Sequence, residues 1–164
     1  EAAVAHLNGK LVIEHKEEQI ISSLKGTDLA LFKKGKEIYA RDGFCNTCHQ
    51  PDGKGLSASG YPPLANTNWV TGNEDRLIKV VLKGLLGPIE VNRRQYAGQV
   101  PMTPFEGLLN DEEMAAVLTY VRNSFGNQAS PIQPEKVKQV RAQVKNVEGF
   151  YSPDKLLKEH PMEK

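Results

Sequence analysis

The sequence predicts an all-α fold. Apolar residues recur at three- and four-residue steps in three main stretches, 27–42, 73–85 and 111–124, each opened by a residue able to cap a helix and closed by a glycine. No run of strand character flanks the pentapeptide Cys45-Asn46-Thr47-Cys48-His49, which follows the first stretch. Between the stretches the chain is dense in Gly, Pro, Ser and Asn, the composition of ordered loops.

In chain order, the opening is ambiguous: Asn8-Gly9 has the form of a hairpin turn, whereas Leu11 to Leu24 also fits a helix. Residues 27–42 then place Leu29, Phe32, Ile38 and Tyr39 at helical spacing, with Thr27 as N-cap and Gly43 as stop. Pro51 to Thr71 reads as loop of the kind a ligand orders. Asn73 caps the next helix, which carries Glu74 and Asp75 in its first turn, Leu77, Val80, Val81 and Leu85 on one face, and Gly84, Gly87 and Pro88 at its end. Residues 88–109 return to loop. The clearest helix runs from Asp111 to about Ser124, with Asn110 and Glu113 placed for a capping box and Met114, Val117, Leu118, Val121 and Phe125 in one stripe. After Pro131 and Pro134, the valines at 137, 140, 144 and 147 form a narrow amphipathic stripe expected to lie on another surface. Ser152-Pro153 opens a short final helix anchored by Leu156 and Leu157.

The pentapeptide carries the chemistry. Two cysteines three apart reach the same side of a helical turn and can thioether-bond the two vinyl groups of one porphyrin, while the adjacent histidine reaches the iron: C-x-x-C-H is the attachment signature of c-type haem. Three other chemistries use paired cysteines. A zinc site would have to recruit His6, His15 or His160, none at zinc-finger spacing. A thioredoxin-like motif follows a strand and opens a helix, whereas a helix precedes Cys45. A structural disulfide is the third. Covalent haem is the reading adopted, and one motif means one haem.

A low-spin carrier haem needs a sixth ligand, and a methionine thioether raises the reduction potential relative to a second histidine. Of three methionines, Met114 belongs to the apolar stripe of a helix and Met162 to a charged tail where disorder is the default. Met102 stands between Pro101 and Pro104 in a loop, where rigid prolines hold a thioether at fixed distance. The metal ligands expected are therefore His49 and Met102, with His6, His15 and His160 as solvated surface histidines.

The 164 residues, 39% hydrophobic and 25% charged with a net charge of +1, suffice for one domain with a real core and exclude a nucleic-acid binder or a disordered chain. No apolar run approaches the ~18 residues of a membrane span. The chain begins at Glu1 without an initiator Met or signal-like segment, as expected of a mature, trimmed or excised chain, and haem attachment to C-x-x-C-H implies a periplasmic or otherwise exported setting.

The order helix, C-x-x-C-H, Pro-rich loop, helix, Pro-Met loop, terminal helix resembles a class I, monohaem cytochrome c. The resemblance implies three to five core helices around one covalently bound haem c. Residues 27–126 would be the haem domain, 1–26 an N-terminal extension or linker from a preceding domain, and 127–164 a C-terminal helical extension packing on the core. It places Gly35 and Tyr39, with Leu118 and Tyr120, where the first and last helices of that family cross. Pro62 would accept a hydrogen bond from the second nitrogen of His49, and Leu64 would pack on the porphyrin face. Trp69, Arg94 and Tyr96 are candidates for contacting the propionates, each equally readable as ordinary packing or surface. The run Gly84 to Val91, with Tyr96-Ala97-Gly98 and the Pro-Met loop, resembles more narrowly the C-terminal cytochrome c domains of large exported bacterial proteins, many with sugar- or alcohol-dehydrogenase-like domains upstream.

The function implied is one-electron transfer rather than catalysis, relaying electrons between a dehydrogenase-like domain or other redox partner protein and a downstream acceptor. Residues 27–126 hold 11 Lys or Arg and 11 Asp or Glu, so a tethered partner or an apolar docking patch fits better than electrostatic steering. The alternative is a haem enzyme or gas sensor with a displaceable sixth ligand.

Overall fold

The structure is a computed structural model that describes residues 18–164. The Asn8-Gly9 turn, His6 and His15 lie outside the described residues; of the ambiguous opening, residues 18–23 are helical. The chain is mostly helical, as the spacing of its apolar residues demands. Helix α1 (Gly26–Tyr39) buries Leu31, Phe32, Gly35, Ile38 and Tyr39, a stripe one helical face wide. Thr27 is not its cap: the helix begins at Gly26, whose φ of +56° turns the chain in, and the N-cap Lys25 makes no side-chain capping bond. Leu31 takes the buried place expected of Leu29, which is half-buried.

Helix α1 is followed by α2 (Cys45–His49), α3 (Asn68–Thr71), α4 (Glu74–Lys83) and α5 (Asp111–Arg122). The capping box of α5 is formed: Asn110 Oδ1 accepts from the Glu113 N–H at 2.8 Å, and Glu113 Oε2 accepts from the Asn110 N–H at 3.1 Å. Helices α1 and α5 cross at Gly35, where a Cβ would stand 1.9 Å from the Ala116 carbonyl oxygen. Only glycine permits that approach. Rings of Phe32, Tyr39, Tyr120 and Phe125 interlock beside the crossing, with neighbouring centroids 5.3–5.8 Å apart.

Asn73 caps α4 by accepting from the Arg76 N–H at 2.9 Å. Two regions read as loop carry structure of their own. Residues 51–71 contain a 3₁₀ turn at Ser57–Ser59 and α3, capped by Thr67. Residues 88–109 contain an antiparallel hairpin, β1 (Ile89–Val91) and β2 (Arg94–Tyr96), with Ile89 opposite Tyr96. Its two turn residues, Asn92 and Arg93, have φ of 51° and 64°. Such a turn advertises itself through glycine at the second position, and arginine there gives no sequence signal.

The valine stripe of the tail is internal. Helix α6 (Pro134–Gln143) packs on α4 and α5, and Ile132, Val137, Val140, Val144 and Tyr151 join the same apolar cluster as Leu77, Val81 and Leu118. Helix α7 (Pro153–Glu159) is capped by Ser152. The buried Arg76 guanidinium reaches the chain's end, donating to the carbonyls of Asn68, His160 and Pro161 and to Glu163 at 2.9–3.1 Å. This grip explains two departures from expectation. Met162 packs against the core instead of fraying, and His160 is half-buried with its Nε2 out of solvent rather than a solvated surface residue. Among the described residues no helix is long and apolar enough to cross a membrane.

Candidate functional site

The site begins where α1 ends. Gly43, at φ +76°, turns the chain, its N–H donates to Thr47 Oγ1 at 3.1 Å, and α2 presents both cysteines and His49 within little more than one turn. Gln50, at φ 66°, closes α2, and the Tyr39 hydroxyl fixes that bend by donating to the Gln50 carbonyl at 2.6 Å. Burial, reinforced by Cys45, Tyr120 and Asp52, pushes the Tyr39 pKa up, so the phenol stays a donor.

The following loop folds back over α2. Gly55 N–H donates to the His49 carbonyl at 2.9 Å and Leu64 N–H to the Gly53 carbonyl at 2.8 Å. This return places the Pro62 carbonyl 2.8 Å from His49 Nδ1. A carbonyl oxygen only accepts, so Nδ1 carries the hydrogen and Nε2 is left with its lone pair. Burial pulls the His49 pKa below the ordinary imidazole range, with the Pro62 bond opposing it, so the ring is neutral at neutral pH. The two cysteines are not joined in a disulfide, and before any attachment burial pushes the Cys45 thiol up to about 11, a backbone hydrogen bond lowering it and Cys48 raising it. That is the reverse of the electropositive setting that activates a redox cysteine.

Two contiguous apolar clefts share Cys45, His49, Pro62, Leu85, Ile89 and Met102 and form the halves of one site. The outer half adds Phe44, Cys48, Tyr96 and Phe105, and the inner half adds Leu64, Trp69, Val81, Val117, Leu118 and Val121. No Asp, Glu, Lys or Arg among the described residues lines either half. Met102 is held by a reciprocal backbone pair with Leu85, its N–H donating at 2.9 Å and its carbonyl accepting at 3.3 Å. Gly84 makes room for this pair: at φ +73°, a Cβ there would lie 2.4 Å from the Met102 carbonyl oxygen.

The cleft thus gathers Cys45, Cys48, His49, Pro62, Leu64, Trp69, Tyr96 and Met102. Arg94 is the predicted site residue that the structure leaves outside: it is exposed, with its guanidinium 5.8 Å from the Tyr96 ring centroid. Trp69 donates its indole N–H to the Glu90 carbonyl at 3.0 Å, and the Tyr96 hydroxyl pairs with Ser57 Oγ at 3.0 Å. Sequence reasoning missed Phe44, Leu85, Ile89 and Phe105 as walls, since apolar periodicity marks burial without saying what lies against it. It also missed Asn127, which accepts from the Asn66 N–H at 2.8 Å and donates to the carbonyls of Leu64 and Val121 at 3.0 and 2.9 Å. An asparagine just after a helix gives no signal of such a role.

Two thiols, a bare imidazole nitrogen and a thioether lining one apolar cleft form a donor set suited to an iron porphyrin. The cytochrome c family model matches residues 32–125. The chain is 38% identical over 117 residues to cytochrome c-552 of Thermus thermophilus, an alignment covering 66% of this chain and 84% of that protein. It is 37% identical over 120 residues to the fructose dehydrogenase cytochrome subunit of Gluconobacter japonicus, covering 69% of this chain and 23% of that subunit. With the cytochrome c subunit of the quinone alcohol dehydrogenase of Gluconobacter oxydans the figures are 35% over 97 residues, 58% and 19%. The match thus spans less than a quarter of either dehydrogenase subunit.

Proposed function

Because the chain belongs to the cytochrome c family, with the class I fold and covalently bound haem c, we propose that it is a one-electron carrier. In this reading Cys45 and Cys48 would hold the haem, and His49 and Met102, which line the same cleft, would ligate its iron. The observation that carries it is that His49, with Nε2 bare, and Met102 line one cleft whose walls carry no Asp, Glu, Lys or Arg among the described residues. When bound, the haem supplies an iron that takes up and releases one electron, at a potential that a thioether ligand raises over a second imidazole.

The chain's own residues do the rest. The Pro62 carbonyl fixes the orientation and tautomer of His49. Leu64, Val81, Val117 and Leu118 supply aliphatic wall that excludes water and keeps the surroundings of the iron at low dielectric. Tyr96, paired with Ser57, and Arg94 beyond it are the propionate contacts we assign, whereas Trp69, its N–H committed to Glu90, serves as wall.

We assign the partner to the dehydrogenase class, as a tethered domain or a separate subunit in an exported setting, since two relatives are cytochrome subunits of dehydrogenases. The uncharged outer cleft, with Val100 exposed at its rim, supports apolar contact over electrostatic steering. Met102→Ala tests the axial assignment. The variant is expected to lose the weak far-red methionine-to-iron absorption band, turn toward high spin and drop in potential. An unchanged spectrum moves the sixth ligand elsewhere, and ready carbon monoxide binding by the reduced wild-type protein rejects a closed carrier.

A further inference from the structure

The loop bearing Met102 has no helix or strand of its own between Tyr96 and Asp111, so what holds it must come from elsewhere. One side is tied to α4: Phe105 and Glu106 donate their N–H groups to the carbonyls of Val81 and Leu82 at 2.9 and 3.1 Å, using acceptors that the last turn of that helix leaves open. The other side is tied to α6. Arg141 donates from Nη1 to the Glu106 carbonyl at 2.7 Å, from Nη2 to the Leu109 carbonyl at 2.8 Å and from Nε to Asp111 Oδ1 at 2.7 Å. One planar fork therefore sets the path of the loop's return to α5 through three charge-assisted hydrogen bonds. A second tether comes from Tyr151, which accepts from the Leu86 N–H at 2.9 Å and donates to the Gly84 carbonyl at 3.3 Å. The segment paired with Met102 is thereby clasped on its opposite edge.

We propose that Arg141 is a positioning residue for the sixth ligand: by fixing the carbonyls of Glu106 and Leu109 it holds the Met102 loop closed over the haem cleft. The inference rests on the reading of Met102 as axial ligand. A thioether is a weak ligand whose retention depends on how seldom its loop opens, and local opening is governed by the contacts of the segment itself. Arg141 makes its contacts within that segment, from a helix none of whose residues lines the cleft.

The experiment uses the haem-loaded full chain and measures the rate at which carbon monoxide binds the reduced protein, which reports how often Met102 leaves. Arg141→Ala is expected to bind at least about tenfold faster than wild type, the factor that one of its three charge-assisted hydrogen bonds carries by itself. Amide exchange at Met102 and Leu85 should accelerate in parallel. Arg141→Lys, which keeps the charge but not the fork, should fall between the two. Val137→Ala is the control, since Val137 is fully buried on the same helix and its truncation lowers stability while leaving the three Arg141 hydrogen bonds in place. Equal rates in Arg141→Ala and wild type overturn the proposal. Equal acceleration in Val137→Ala does so too, by showing a general loosening. Failure of the axial reading is distinct: wild type itself would bind carbon monoxide rapidly and lack the far-red band, and the inference would fall with it.

Discussion

Replacing Gly35 with alanine tests the crossing that carries the fold. In α1 the substitution gains roughly 1 kcal/mol of helix propensity, because Gly35 has ordinary helical backbone geometry. Against this, the new Cβ meets the Ala116 carbonyl oxygen at 1.9 Å, the Ala116 carbonyl carbon at 2.5 Å and Tyr120 Cβ at 2.8 Å. A relaxed carbon–oxygen contact is about 3.3 Å, so the two helices must part by roughly 1.4 Å at a point where neither backbone can turn aside. A gap of that size forfeits at least half the dispersion energy of the atoms facing it, and overpacking of this kind costs about 1–3 kcal/mol or more. Because neither backbone can yield, the cost lies at the upper end of that range, and subtracting the propensity gain leaves a net loss of about 2 kcal/mol, a large share of a typical 5–15 kcal/mol. The assay is denaturant unfolding of the haem-loaded protein, comparing midpoints at constant slope. Gly107→Ala is the matched control: a Cβ there meets nothing within 4 Å and its φ is not positive, so stability should hold or rise slightly. A Gly35→Ala midpoint equal to or above that of Gly107→Ala would refute the close-approach argument.

Two further outcomes follow from buried polar groups. Asn127→Ala strips three bonds from backbone groups of Asn66, Leu64 and Val121 and should cost about 2–4 kcal/mol, read as a lowered denaturation midpoint. A loss under about 0.5 kcal/mol, the scatter of an ordinary surface substitution, would mean that water replaces the side chain freely. His160, whose Nε2 is buried without a hydrogen-bond partner among the described residues, has its pKa lowered by burial first and then by Lys79 and Arg76, against Asp75 and Glu159. The unfolded chain therefore binds the proton more readily than the folded one. Stability present above the unfolded value of about 6.5 is lost as pH falls through the lower folded value. His160→Gln should flatten the fall in midpoint between pH 8 and 5, and an identical slope in both proteins would refute the assignment.

What could be read from the sequence was whatever local chemistry dictates. The cap residues Asn73, Asn110 and Ser152 act as their side chains require, because a cap needs only its own helix. Thr27 failed because capping competes with chain direction, and the positive φ of Gly26 brings the helix in one residue earlier. The haem motif was legible since its five residues are contiguous. The Pro62 contact was legible only through resemblance, as nothing in residues 50–62 states that the loop returns. The valine stripe announced an apolar face and not its companion, and the surroundings of Arg76, Asn127 and Arg141 were invisible. Their partners lie far off in the chain and are mostly backbone carbonyls, which every residue possesses and no side chain advertises.

The uncharged walls of the cleft have a consequence for bookkeeping between electrons and protons. A redox centre beside a carboxylate or lysine shifts that neighbour's affinity for protons whenever it changes charge, so the two transfers become linked and the potential drifts with pH. Here no Asp, Glu, Lys or Arg among the described residues lines either half of the cleft, and the His49 hydrogen on Nδ1 is committed to the Pro62 carbonyl. The walls therefore offer an arriving electron no proton to draw in. Whatever drift of potential with pH the protein shows must then arise at the haem's own propionates or beyond the cleft, and not in its lining.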